Sequence, residues 1–175
     1  MEKISKRWIC VFCGSAMGAR PEYESAARDL GRRIAESGYG LVYGGGSVGL
    51  MGVLADAALA AGGEVVGIIP DVIVDLEVGH SGLTELLVVR TMHERKALMA
   101  ERADAFMALP GGYGTMDEFM EIVTWAQLGI HSKPCVLVNV AGYYDALMRF
   151  LDVGVSEGFI RAENRALVQV AKDIT

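Results

Sequence analysis

Only three cysteines occur among the 175 residues, Cys10, Cys13 and Cys135. So few fit a reducing compartment, and a cytoplasmic location with it. Cys10 and Cys13 form a C-x-x-C inside an apolar run that reads as a strand. An odd offset sends their side chains to opposite faces, which excludes a shared metal or an easy disulfide and leaves them as buried structural thiols. The three histidines, His80, His93 and His131, show no metal-ligand spacing. Basic runs are missing too, and 16 Lys+Arg against 22 Asp+Glu give a net charge of −6. A nucleic-acid polymer would find no basic surface, whereas a small anion needs only a local site. No apolar run reaches the ~18 residues of a membrane span, and Asp56 interrupts the longest candidate, Leu50 to Ala61. Lys3, Lys6 and Arg7 before Trp8–Cys13 imitate a signal peptide. Six apolar residues are short for that role, and cleavage would remove a core strand.

What is abundant is apolar residues, 52% of the chain, and glycine, 22 residues or about 13% against a usual ~7%. The apolar share excludes intrinsic disorder. Short β-rich runs alternate with longer helical stretches. Strands are expected at Trp8–Cys13, Gly40–Tyr43, Glu64–Ile69, Glu85–Val89, Ala105–Leu109 and Cys135–Val140. Helices are expected at Glu22–Ser37, Gly49–Ala61, Met92–Arg102, Met116–Gln127 and Tyr143–Glu157. Continuous apolar strands are those of a parallel sheet covered on both faces. The alternation predicts an α/β fold: a Rossmann-like, doubly wound, mainly parallel sheet with helices on both faces. No Pro- or Ser-rich linker divides the chain, so residues 1–175 read as one domain. Pro70–Thr84 breaks the rhythm and reads as a loop, a candidate lid or binding segment. A last strand falls at Ala166–Ala171, with no helix expected after it.

The glycines cluster after strands, at Cys13-Gly14-Ser15, at Gly44-Gly45-Gly46-Ser47-Val48-Gly49 and at Pro110-Gly111-Gly112-Tyr113-Gly114-Thr115. Such turns let backbone N–H groups approach an anion while a helix amino terminus adds positive potential. Ser15, Ser47 and Thr115 are candidate hydroxyl donors. Gly44, Gly46 and Gly49 also spell G-x-G-x-x-G, but after the second strand and with no acidic residue at the spacing a dinucleotide site needs. Arg95 and Lys96 fall in the early turns of a helix, against its macrodipole, a placement that a bound anion would compensate. Arg95 is the better clamp, because its planar fork can grip a phosphate. Thr115 and Glu118 have capping-box spacing. The same glutamate would stand at the mouth of an anion-binding loop, where a carboxylate can orient a ribose hydroxyl, activate water or stabilise an oxocarbenium-like transition state.

The segment Pro110-Gly-Gly-Tyr-Gly-Thr-Met-Asp-Glu118 matches the P-G-G-x-G-T-x-x-E signature of the Lonely Guy family. Cys13–Ser15, Tyr43–Gly52, Glu77–Glu85 and Met92-His-Glu-Arg-Lys96 resemble further family segments, in family order. The resemblance runs from about residue 8 to residue 160. These proteins are cytokinin riboside 5′-monophosphate phosphoribohydrolases, often mislabelled lysine decarboxylases. The resemblance implies hydrolysis of the N-glycosidic bond of a nucleoside 5′-monophosphate, without metal or organic cofactor, by a homodimer with pockets near the subunit interface. It places the catalytic pair on Arg95 and Glu118. It puts substrate contacts on Glu77, Lys96, Gly112, Tyr113, Gly114, Thr115, Met116, Asp117 and Thr124, besides the pair itself, and the reading of the glycine loops adds Ser15, Gly45, Gly46 and Ser47. Relatives usually carry a further carboxyl-terminal helix, which this sequence is expected to lack. Met92, Met99, Met116 and Trp125 are candidates for an apolar base pocket, although their helical spacing equally fits ordinary core.

Three other readings stay open at the level of sequence. One is an AMP nucleosidase of the same type. Another is a non-catalytic nucleotide or cofactor carrier, which would need the glycine loops but no Arg/Glu pair. The third is a pyridoxal-phosphate decarboxylase, which needs a Schiff-base lysine; lysines are few, and Lys96 is placed for phosphate.

Overall fold

The computed structural model describes residues 6–174, so Lys3 of the amino-terminal basic group lies outside the described residues. The apolar runs become strands β1 (Trp8–Phe12), β2 (Gly40–Tyr43), β3 (Val65–Pro70), β4 (Glu85–Val89), β5 (Ala105–Ala108), β6 (Cys135–Val138) and β7 (Val168–Ala171). Between them run helices α1 (Pro21–Glu36), α2 (Gly49–Ala60), α3 (Val74–Glu77), α4 (Met92–Arg102), α5 (Tyr113–Gln127), α6 (Asp145–Ser156) and α7 (Ala162–Arg165). The strands form one sheet in the order β4-β3-β2-β1-β5-β6-β7, every neighbouring pair parallel. The fold is the expected doubly wound α/β architecture, with a wholly parallel sheet. None of the described helices is long and apolar enough to cross a membrane.

Strand periodicity divides the core between the two sheet faces. Cys10 and Phe12 of β1 join Phe106, Met99 of α4 and Phe119 and Ile122 of α5 on one face. Val11 and Cys13 join Leu41, Leu30 and Ile34 of α1 and Leu54 of α2 on the other. The two thiols therefore do point to opposite faces, and burial pushes both well above the ordinary thiol range. Helix α1 begins with Pro21, carries Glu22 and Glu24 in its first turn and ends with Arg33, a sequence matched to the macrodipole. Helix α2 is apolar nearly all round because α1 covers it on one side and the sheet on the other; Asp56 marks its outer surface.

Several boundaries differ from expectation. Pro70–Thr84 is not simply a loop: it holds a 3-10 turn, Asp71–Ile73, and the short helix α3. The expected capping box at Thr115 does not form. Helix α5 starts earlier, with Gly112 as its N-cap, so Thr115 is already the third helical residue and is buried. The working cap of this kind is Thr91–Glu94, opening α4. There the Thr91 hydroxyl accepts from the Glu94 N–H at 3.1 Å, and the Glu94 carboxylate accepts from the Arg90 N–H at 2.8 Å. Strand β6 ends before Val140, where a turn with Ala141 at φ 51° leads into α6.

Candidate active site

Strand order fixes where a ligand can enter. From β1 the chain moves outward through β2, β3 and β4, then returns to the other side of β1 as β5. The β1 and β5 loops therefore diverge at a topological switch point, the usual binding crevice of an open parallel sheet. A cavity of about 260 Å³ lies there, at the carboxyl ends of the strands. The Gly14 N–H donates to the Pro110 carbonyl at 3.0 Å and ties the two loops together at its base. Ser15, Glu77, Arg95, Gly112, Tyr113, Gly114, Thr115 and Glu118 all line the cavity. The first three amides of a helix have no partner inside it. Those of Tyr113, Gly114 and Thr115 open α5 at the cavity wall.

Arg95 is the most constrained polar group of the site, with 4% of its side chain exposed. Its Nε donates to the Ile68 carbonyl at 3.0 Å and its Nη2 to the Gly44 carbonyl at 2.8 Å. The same Nη2 reaches Glu77 Oε2 at 3.3 Å. Two strand ends and α3 thus hold the fork, and only Nη1 faces Glu118, at 3.8 Å. Gly44 is required here for space, since a Cβ at that position would strike Nη2. Burial is the main influence on Glu118; Arg95 opposes it and Glu77 reinforces it. The net result lifts the carboxyl from 4.5 to about 7. The carboxyl can therefore hold or release a proton near neutrality.

The helix dipole at the start of α4 is answered by protein carboxylates rather than by a bound anion alone. Arg95 meets Glu77 and Glu118, while Lys96 Nζ meets Asp117 at 3.1 Å and Glu121 at 3.0 Å. Lys96 and Asp117 consequently join α4 to α5 and do not line the cavity. Met116 packs on the core below it, and the Thr124 hydroxyl donates to the Met120 carbonyl within α5. Neither lines the cavity.

The second glycine loop also has a use that its sequence does not announce. Ser47 donates from its N–H to the Val78 carbonyl at 2.9 Å and from its hydroxyl to the same oxygen at 2.7 Å. Gly46 pairs with Gly79 as an antiparallel bridge, and the His80 N–H donates to the Gly45 carbonyl at 2.9 Å. His80 Nε2 in turn lies 2.9 Å from Asp56 of α2. Gly45, Gly46 and Ser47 therefore anchor the segment that presents Glu77 and are not lining residues of the cavity. Gly49 is needed for close approach: at φ 58° it lets the Ser15–Ala16 backbone lie against the start of α2, where a Cβ would collide.

Sequence reasoning missed part of the apolar wall. Met92 lines the cavity, together with Met51 and Ile73, whereas Met99, Met116 and Trp125 belong to the core. Met51 sits in the apolar helix α2, and Ile73 lies in the segment expected to be loop; neither pattern signals a ligand.

A family model described as "Possible lysine decarboxylase" matches residues 51–175. The cytokinin riboside 5′-monophosphate phosphoribohydrolase of Oryza sativa subsp. japonica is 52% identical over 162 residues, covering 93% of this chain and 67% of that protein. The enzyme of the same name from Rhodococcoides fascians is 53% identical over 167 residues, covering 95% of this chain and 84% of its own. Among solved structures, the molybdenum cofactor binding protein of Rippkaea orientalis superposes with a TM-score of 0.72 at 26% identity, over 98% of this chain and 92% of that one. By its signature, by the family model and by relatives identical at more than half of the aligned positions, this chain belongs to the Lonely Guy family, whose model bears the label of a possible lysine decarboxylase.

Proposed function

We propose that the protein hydrolyses the N-glycosidic bond of cytokinin riboside 5′-monophosphates, releasing the free base and ribose 5-phosphate. The observation that carries this reading is a buried carboxyl of near-neutral pKa, Glu118, beside a fixed arginine and one turn inside a helix whose amides face a cavity. The substrate's phosphate sits on the amino terminus of α5, at Gly112 to Thr115, where backbone donors and the helix dipole favour an anion. That places the ribose towards Glu118 and the base against Met51, Ile73 and Met92. Water adds to C1′ while the base departs with the electron pair of the C1′–N bond and a proton. Positive charge builds on the sugar as the base leaves, and anionic Glu118 stabilises it. The same carboxylate accepts the proton of the attacking water and gives it up again to the departing base, which restores the anionic group. Arg95, held by protein carbonyls, sets the position of Glu118 and neutralises part of its charge. Every step is assigned to the chain's own groups, so neither a metal nor an organic cofactor is invoked.

The likeness to a molybdenum cofactor binding protein supports a second reading, a non-catalytic carrier on the same scaffold. A carrier has no use for a buried arginine–glutamate pair, so the hydrolase is preferred. Incubation with isopentenyladenosine monophosphate and with AMP, followed by chromatography of the free base, separates the possibilities. Release of isopentenyladenine ahead of adenine is the expected result; release of adenine alone means an AMP nucleosidase, and release of neither means a carrier. We place the protein in the cytoplasm as a homodimer. Exposed Val72, Leu76 and Val78, on the segment leading to and beyond Glu77, support an assembly whose subunits meet near the pocket.

A further inference from the structure

Three consecutive carbonyls of the β5–α5 loop are each held from outside the loop. The Tyr144 hydroxyl donates to Leu109 O at 2.6 Å, the Gly14 N–H to Pro110 O at 3.0 Å, and the Tyr143 hydroxyl to Gly111 O at 2.6 Å. Both tyrosines come from the turn between β6 and α6, outside every motif that marks the site in the sequence. That turn is itself well determined. Asn139 Oδ1 accepts from the Tyr144 N–H at 2.7 Å, and its amide donates to Asp145 at 2.7 Å. The Tyr143 ring packs edge-on against Tyr144 at 5.0 Å and against Tyr23 of α1 at 5.7 Å. Its hydroxyl therefore has a fixed origin from which to hold Gly111.

A peptide unit is planar and trans, so its carbonyl and the N–H that follows point in opposite directions. Holding Gly111 O towards Tyr143 turns the Gly112 N–H away from Tyr143. Gly112 borders both the main cavity and an adjoining cleft, whereas Gly111 and Tyr143 line the cleft and not the main cavity. With two soft dihedrals at each of Gly111 and Gly112, nothing in the loop's own side chains prevents this peptide from flipping. The tyrosine hydroxyl supplies that constraint.

We propose that Tyr143 is a positioning residue for the phosphate subsite: by holding the Gly111 carbonyl it aims the Gly112 N–H at the substrate's phosphate. The proposal rests on the nucleotide reading of the site and adds to it a residue that never touches the ligand. Because the phosphate does not react, the contribution belongs to binding of phosphorylated ligands and not to the ribose or base.

The test is calorimetric binding of AMP and of adenosine to Glu118→Gln protein, with and without Tyr143→Phe, the first change preventing consumption of either ligand. Phenylalanine keeps both edge-on ring contacts and removes only the hydroxyl. The expected result is an AMP dissociation constant raised about fivefold to tenfold, the range for loss of one hydrogen bond, with adenosine unchanged. An unchanged AMP affinity overturns the proposal. Equal weakening of AMP and adenosine also overturns it, since that is general loosening of the loop. Equal affinity of the Tyr143 protein for AMP and adenosine would leave no phosphate subsite to position and overturns it as well. Base release by the unmodified protein is a separate measurement: no release, with AMP still preferred over adenosine and the preference lost in Tyr143→Phe, would end the hydrolase reading and leave this one standing.

Discussion

Arg95 Nη1 stands 3.8 Å from Glu118 Oε1, close enough to attract and too far for a hydrogen bond. The gap has a structural cause. Nε and Nη2 are fixed on Ile68, Gly44 and Glu77, so the guanidinium cannot swing to meet the carboxylate. A tighter pair would hold Glu118 ionised far below neutrality, as a partner at hydrogen-bonding distance does. Burial instead prevails over Arg95, with Glu77 adding to it, and Glu118 titrates at about 7.

A pH dependence follows. If the ionised carboxylate stabilises the sugar cation and takes the water proton, turnover requires Glu118 deprotonated. The kcat/KM profile, which reports the free enzyme, is expected to rise from pH 5 through a midpoint near 7 and level off above it. Initial rates at nucleotide well below saturation between pH 5 and pH 9 check this; a flat profile would remove Glu118 from the chemistry.

Glu118→Gln separates the chemical role from the stability cost of the same group. Its turnover should fall by a factor on the order of 10²–10³, as for loss of one preorganised electrostatic group, while AMP still binds. The stability effect has a definite sign. Between its ordinary 4.5 and its folded value of about 7, the carboxyl binds more protons in the native than in the unfolded state. Unmodified protein therefore loses stability as pH rises across that window, by something on the order of 3 kcal/mol. Glutamine does not titrate. The thermal midpoint of the variant should gain on that of the unmodified protein from pH 4.5 to pH 7 and run parallel to it above, which scanning calorimetry can follow.

The sheet and the two central charged residues are legible in the sequence for different reasons. Val65–Ile69 and Ala105–Leu109 are continuous apolar runs, and burial on both faces of a parallel sheet leaves such strands no other composition. Arg95 and Glu118 stand beside glycine turns and helix starts, where local spacing carries the information. Ser47 is ambiguous in the sequence because an amide and a hydroxyl in a glycine turn look alike whether they hold a phosphate or the Val78 carbonyl, 31 residues further along. Thr91–Glu94 and Thr115–Glu118 share one spacing, yet only the first is a cap. What distinguishes them is Gly112, which lets α5 begin three residues earlier. Ile73 and Tyr143 reach the site through tertiary packing alone, and no local pattern contains that.

Removing Arg95 should be costly in a pH-dependent way. Arg95→Met leaves the Ile68 and Gly44 carbonyls without their donor and sets Glu77 and Glu118 together unneutralised. Breaking a buried ion pair from one side costs about 3–5 kcal/mol. Part of that cost vanishes when Glu118 is protonated, so urea unfolding should show a larger loss at pH 8 than at pH 5.5. Arg95→Lys is expected to recover little, because one ammonium cannot satisfy three acceptors set in a planar fan.

The role of Ser47 can be decided by its coupling to Glu77. Val78, a β-branched residue, sits at φ 49°, a conformation that persists only when its surroundings impose it. Ser47 imposes it with two donors on the Val78 carbonyl, and Glu77 is the preceding residue. Ser47→Ala should let this turn relax and draw Glu77 away from Arg95, lowering kcat/KM several-fold. In a Glu77→Gln background the carboxylate that Ser47 helps to place is already gone, so the same substitution should have little further effect. A double-mutant cycle on kcat/KM measures this directly. Strong coupling is the signature of an anchor. Additive losses would mean that Ser47 meets the substrate itself, and the second glycine loop would then be a phosphate cradle after all.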